Sequence, residues 1–236
     1  MPQRFSLDRE RARSYYAAIV LVGFLAACRP APAPLVPAGM PPLAPGTVAG
    51  WARAVRPAQP TRYDLRWRFT TQQGSAAGRA VVRYQAPDTL RFDYRAPLGR
   101  SGAALFVGQE AVWAQPADEL RAMVPAALLF WAGMGLPLDP PAGALVTGLE
   151  RDGTRFWRQA DAGDALDVVW RAVPGILQAE YRQGDRIVGL AEVQYDSTGH
   201  PVTAELRFPG EAARLTFRFE AVETVAAFAP ETWRRP

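Results

Sequence analysis

A single cysteine in 236 residues leaves this chain few routes to covalent chemistry. Cys28 stands directly behind Leu25-Ala26-Ala27, at the end of the apolar run Tyr15–Ala27. Two small residues suit a signal peptidase, and a thiol placed next can take a diacylglyceryl group on its sulfur. The pattern is that of a lipobox, with Cys28 as the lipidation site. Catalytic patterns are missing by comparison. The one histidine, His200, sits in a Gly-His-Pro turn without cysteine or histidine company, which does not make a metal site. The serines (Ser6, Ser14, Ser75, Ser101 and Ser197) lie outside any Gly-x-Ser-x-Gly elbow. Asp161, Asp164 and Asp167 recur at three-residue intervals. That spacing does not fit an EF-hand loop and reads as a solvated loop entering a strand. No glycine-rich phosphate loop is present. The expectation is a protein without catalytic residues, metal or cofactor.

The elements around Cys28 follow from composition. Residues 1–14 are basic and polar, and the apolar run after them is too short to span a bilayer comfortably. Residues 1–27 therefore read as a lipoprotein signal peptide. Residues 28–46 read as a lipidated cysteine and a tether holding seven prolines. Polyproline II at ~3.1 Å per residue would give that tether a reach of roughly 50 Å. The folded domain is expected over 47–236. Arg29, rather than an aspartate, follows the cysteine, which under the proteobacterial sorting rule points to the outer membrane, facing the periplasm. All 27 basic residues are arginines, the mark of a GC-rich genome, so their number is not a functional signal. The net charge is +4 and no long basic run occurs, so a nucleic-acid partner is not expected. With 49% hydrophobic and 21% charged residues, the chain can build a packed core.

Within 47–236 the dominant period is two. Tyr63, Leu65, Trp67 and Phe69 alternate with Asp64, Arg66 and Arg68, and Leu90, Phe92 and Tyr94 alternate with Arg91, Asp93 and Arg95. Similar runs, separated by Gly, Pro and Asp turns at hairpin spacing, continue to Thr224. They predict a mainly β (α+β) fold: a curved antiparallel half-barrel of about eleven strands. A short helix over Val48–Arg56, capped by Thr47, precedes it. Asp118–Gly135, apolar nearly all round and interrupted by Pro125, predicts a lid helix inserted mid-chain. A curved sheet with a helix over its mouth encloses an apolar cavity. Its expected ligand-binding wall is Trp67, Phe69, Tyr84, Leu90, Phe92, Tyr94 and Leu105, with Val107 also inward and Phe130 and Trp131 above. The arginines of the alternate phase, Arg66, Arg68, Arg83, Arg91 and Arg95, lie on one sheet face, which reads either as a surface for anionic head groups or, more ordinarily, as the solvated side. Leu98 stands apart: it occupies the turn Ala96-Pro97-Leu98-Gly99, where an apolar side chain is either tucked back or held out to touch something apolar.

Thr89–Leu105, with its strand–Pro-Leu-Gly–strand arrangement, followed by Phe130-Trp131-Ala132-Gly133-Met134-Gly135-Leu136-Pro137, resembles the LolB and LolA family of outer-membrane lipoprotein localisation proteins. Gly199-His200-Pro201 before Val202–Phe208 also resembles that family's later strands. The resemblance implies a half-open barrel closed by helices, whose cavity holds lipoprotein acyl chains. It implies membrane insertion for Leu98. It implies as partners lipoprotein acyl chains or phospholipid, a soluble LolA-like periplasmic carrier, and the membrane reached through Cys28, with the chain a monomer. The expected function is binding and delivery of acylated cargo to the outer membrane. The alternative is a structural or assembly lipoprotein whose sheet is filled by its own side chains and which docks an envelope protein.

Overall fold

The structure, a computed structural model, describes residues 33–234. Cys28 and the signal segment lie outside the described residues. From Leu35 onwards the chain forms one compact unit.

Twelve strands make one antiparallel sheet in the order β5-β4-β3-β2-β1-β12-β11-β10-β9-β8-β7-β6. They are β1 Thr61–Thr71, β2 Gly74–Gln85, β3 Thr89–Arg95, β4 Ser101–Val107, β5 Glu110–Gln115, β6 Leu145–Arg151, β7 Thr154–Asp161, β8 Asp164–Arg171, β9 Ile176–Gln183, β10 Arg186–Tyr195, β11 Pro201–Phe208 and β12 Ala213–Thr224. Every neighbour is a sequential hairpin except one: the first strand pairs with the last, from Thr61 opposite Thr224 to Thr70 opposite Arg214. The sheet therefore grows outwards from that seam and leaves β5 and β6 as its two edges. The chain leaves the sheet at one edge and re-enters at the other. The segment between them bridges the two edges, so the expected lid is a consequence of topology.

That segment holds two short helices, α2 Ala117–Met123 and α3 Ala127–Gly133. The interruption expected at Pro125 falls at Val124-Pro125-Ala126, because a proline cannot continue the hydrogen-bond ladder. The apolar α3 is the buried one: Leu129, Phe130, Trp131, Ala132 and Gly133 are all enclosed. It packs on β9, β10, β11 and β5.

The N-terminal helix, α1, runs Pro45–Val55, with Ala44 rather than Thr47 at its capping position. Pro45 fits the first helical position, where its missing N–H is not needed. From Leu35 the proline-rich stretch before it is part of the folded unit. Val36 is buried, Pro42 bridges to Thr147, and Leu43 N–H and Gly148 N–H exchange backbone bonds of 3.0 Å with Val146 and Pro41 carbonyls. Prolines along β6 cover an edge that would otherwise offer free donors and acceptors. The domain thus reaches back to Leu35, twelve residues before the expected start at Thr47.

Candidate functional site

The inner face of the sheet carries the phase read from β1 and β3. Tyr63, Leu65 and Trp67, then Val82 and Tyr84, then Leu90, Phe92 and Tyr94 are all buried. Register decides what joins them. Leu90 lies opposite Phe106, Phe92 opposite Ala104 and Tyr94 opposite Gly102. The inward residues of β4 are therefore Ala104 and Phe106. Leu105 lies opposite Arg91 on the outer face, and Val107 is 43% exposed. Both were expected to face inward; the uninterrupted apolar run Ala103–Val107 hides its own phase, and a register shift between Leu105 and Phe106 interrupts the pairing with β5. Phe69 is partly buried near the end of β1, packed against the core.

Phe130 and Trp131 descend from α3 into this face. Phe130 stacks on Phe106 at 5.0 Å between centroids and meets Phe92 at 5.4 Å and Phe217 at 6.1 Å edge to face. Trp131 meets Tyr84 edge to face at 6.2 Å, and its Nε1–H donates to the Gly108 carbonyl at 2.8 Å. The helix sits close to the sheet. A Cβ on Gly133 would lie 2.5 Å from a Leu206 methyl. Gly135 adopts φ +75°, with Tyr195 Oη donating to its carbonyl at 3.1 Å. The expected wall residues thus come together, apart from Leu105, and α3 occupies the space between them.

A smaller cavity of about 250 Å³ remains where the first turn of α3 faces β7–β9. Ala127, Leu128, Leu166 and Tyr181 line it, with Glu110, Asp161 and Asp164 also on its wall. Val146, Gln159, Leu166 and Tyr181 stand opposite one another across β6–β9. Gln159 is 4% exposed, lines this cavity, and neither end of its amide has a hydrogen-bond partner. An unpaired buried amide costs ~1–3 kcal/mol. The sequence offered one faint signal: a polar residue on the phase of Trp157. Tyr181 Oη donates to Asp164 at 2.6 Å; burial first, then that bond, push the phenol up to about 12. Asp161 and Asp164 flank the tight β7–β8 turn, and Asp167 forms a two-point pair with Arg158 at 2.5 and 2.6 Å. Asp164 and Asp167 therefore have side-chain partners, and Asp167 does not line the cavity that Asp161 and Asp164 share.

At the β3–β4 turn, Leu98 is fully exposed, at 101% of its reference area. It is held out rather than tucked in. Its backbone is left-handed, φ 61° and ψ 28°, which costs a residue with a Cβ roughly 1–2 kcal/mol that glycine would avoid. The turn is fastened on both sides. Ala96 N–H bonds the Arg100 carbonyl at 2.7 Å, and Arg100 pairs with Glu119 in the first turn of α2. Tyr94 Oη donates to the same carboxylate at 2.7 Å, and these two hydrogen bonds, with Tyr94 contributing most, hold Glu119 below the usual carboxylate range.

No family model matches the sequence, and no curated protein matches it either. Its fold does have solved counterparts. A LolA superfamily protein from Nitrosomonas europaea superposes with a TM-score of 0.58 at 9% identity, over 82% of this chain and 98% of that one. A DUF1329 family protein from Desulfovibrio piger aligns over 80% of this chain and 95% of its own, with a TM-score of 0.49 at 9% identity. The fold is LolA-like.

Proposed function

From that LolA-like fold, we propose that the chain is an envelope lipoprotein that takes acyl chains of lipoproteins or lipids onto the inner face of its half-barrel and releases them into the outer membrane. The observation that carries this reading is Leu98: a fully exposed leucine in a strained turn at the rim of an apolar half-barrel. Backbone strain persists where surrounding structure holds it, and such sites cluster where function needs them. Nothing in the packing requires a leucine there. A bilayer supplies the missing apolar contact, worth ~1.5–3 kcal/mol for a buried leucine side chain. Lipid attached at Cys28 would keep the domain beside that bilayer, and two or three acyl chains anchor firmly where one does not. Cargo comes from a soluble LolA-like carrier in the periplasm, and no bond is made or broken. Acyl chains exchange one apolar surrounding for another, with α3 moving aside to admit them.

The aromatic packing around Phe130 favours a second reading, in which α3 is a permanent part of the core and the protein docks an envelope partner. Transfer of a fluorescent diacylated lipopeptide from the protein to vesicles separates the two. The parent protein binds the lipopeptide and releases it to vesicles; Leu98→Glu binds it equally but releases it slowly. Leu98→Gly, which relieves the strained backbone, folds at least as well and shows the same release defect. Release by Leu98→Glu at the parent rate removes Leu98 from the function. Absence of lipopeptide binding by the parent leaves the docking reading in its place.

A further inference from the structure

The outer face of β1–β3 carries two rows of facing arginines that differ in one respect. In the first row, Arg62 lies opposite Arg83 and Arg83 opposite Arg91. Each of the three has an acidic partner, Asp93 being shared: Arg62 pairs with Asp64 at 2.9 Å, Arg83 with Asp93 at 2.7 Å and Arg91 with Asp93 at 2.9 Å. Arg91 also donates to the Thr232 and Arg234 carbonyls at 2.7 and 2.9 Å. In the second row, Arg95, Arg79, Arg66 and Arg218 stand directly opposite one another across β3, β2, β1 and β12. All four are exposed, and Arg68 is exposed two residues along β1. Arg66 pairs with Glu220; among the described residues Arg68, Arg79, Arg95 and Arg218 have no acidic partner. Like charges placed opposite one another in a sheet destabilise it. At ~4.8 Å between strands the row is roughly 14 Å long. A recess of about 480 Å³, lined by Arg66, Arg68, Arg79, Arg218 and Thr216, lies along it. Arg95 is the last residue of β3, three positions before Leu98.

We infer that this arginine ladder binds the phosphates of anionic phospholipids, so that Leu98 enters the bilayer while Arg95, Arg79, Arg66 and Arg218 rest on its head groups. The inference rests on the membrane-contact half of the function proposed above. Guanidinium groups suit phosphate because their fork of donors meets two oxygens at once. A lipid surface is favoured over an acidic protein because the ladder adjoins an exposed apolar side chain. One lipid leaflet satisfies both, with phosphates at its surface and hydrocarbon beneath.

The test uses the Cys28→Ser chain, so that attached acyl chains do not mask the surface. Its binding to vesicles of phosphatidylcholine, alone or mixed with phosphatidylglycerol, is measured at low and high salt. The parent prefers the phosphatidylglycerol vesicles, and salt weakens that preference. Combining Arg79→Gln, Arg95→Gln and Arg218→Gln reduces it about a hundred-fold, roughly five-fold per arginine. The same triple variant melts at a higher temperature without lipid, since it loses the facing like charges. Leu98→Gly weakens binding to both vesicle types by the same factor. A parent that binds phosphatidylcholine vesicles and shows no preference for phosphatidylglycerol overturns the ladder's role but leaves Leu98 in place. A parent that binds neither overturns the membrane contact as well. A triple variant with unchanged preference hands the ladder to an acidic protein surface and overturns the inference. So does a thermal midpoint raised by inorganic phosphate over chloride at equal ionic strength in a protein that shows no vesicle preference.

Discussion

Truncating Phe130 separates a movable lid from a fixed core. Its ring is fully enclosed and sits among Phe92, Phe106 and Phe217 at 5.0–6.1 Å. Removing such a side chain costs ~3–5 kcal/mol, since the transfer energy is lost and the surrounding rings close only partly over the space. For a domain of this size each kcal/mol lowers the melting temperature by ~2–4 °C, so Phe130→Ala is expected to melt ~6–20 °C lower. Under the carrier reading, an acyl chain entering the parent must first displace this ring, which costs ~1.5–3 kcal/mol of burial. The variant is relieved of that step. It should bind a fluorescent fatty acid roughly ten- to a hundred-fold more tightly than the parent. At a free concentration of 100 times the dissociation constant, the ligand should return ~2.7 kcal/mol, which is most of the loss. Thermal melting with and without ligand, together with a fluorescence titration of both proteins, supplies every quantity. The reasoning fails if the variant is destabilised as expected while neither protein binds the fatty acid. That outcome describes a core with a hole in it and a helix that never moves.

Gln159→Leu tests the small cavity from the opposite direction. If the buried amide awaits a polar group of cargo, the substitution raises the melting temperature by removing an unpaired polar group and weakens lipopeptide binding; unchanged binding assigns the site to ordinary packing. Alkaline titration tests the buried phenols. Tyr181 is pushed up to about 12, chiefly by burial, and Tyr63, Tyr94 and Tyr195 are raised beyond it by the same cause. A phenol that holds its proton more tightly when folded stabilises fully below its unfolded value near 10. That contribution is lost as pH rises through the folded value. Stability measured in denaturant should therefore decline from pH ~10 through ~12, with phenolate absorbance at 295 nm appearing as the fold is lost; a flat profile over that window contradicts the burial of Tyr181.

How far the sequence carried the fold depends on how local each property is. Alternation in β1 and β3 announced both strands and their inward phase, because polar and apolar residues take turns without a break. In β4 the run Ala103–Val107 is apolar throughout, so only pairing with β3 shows that Phe106, and not Leu105, turns inward. The proline-rich stretch looked like a free tether because prolines favour an extended chain. That same extended form let Pro41–Leu43 lie against the edge of β6. The arginine face was legible as a row of alternating residues, but which arginines face one another was not, for a related reason. Arg66, Arg79, Arg95 and Arg218 belong to four strands, and register alone aligns them. Leu98 was legible as an anomaly but not in direction, since a turn leucine can fold back as readily as project.

A leucine where the backbone favours glycine, arginines facing arginines and a buried amide without partners each break a local rule, as do left-handed Asp152, Ala162 and Ala212 and the unpartnered Trp157 Nε1. Violations of this kind concentrate at functional sites, since elsewhere nothing preserves them. Neighbouring strands are antiparallel throughout the sheet, and β3 and β7 are an even number of strands apart, so they run in the same direction. The β3–β4 turn carrying Leu98 and the β7–β8 turn beside the Gln159 cavity therefore leave the sheet at the same end. The ladder adjoins the first of these turns through Arg95. Glu119, held by both Tyr94 and Arg100, ties the start of the bridging segment to that turn. An exposed apolar tip, an unneutralised basic row and a partly open cavity are individually weak signs. Having the tip and the cavity-side turn at one end, with the row leading up to the tip and the segment that bridges the sheet edges fastened beside it, gives the half-barrel one end suited to facing a membrane.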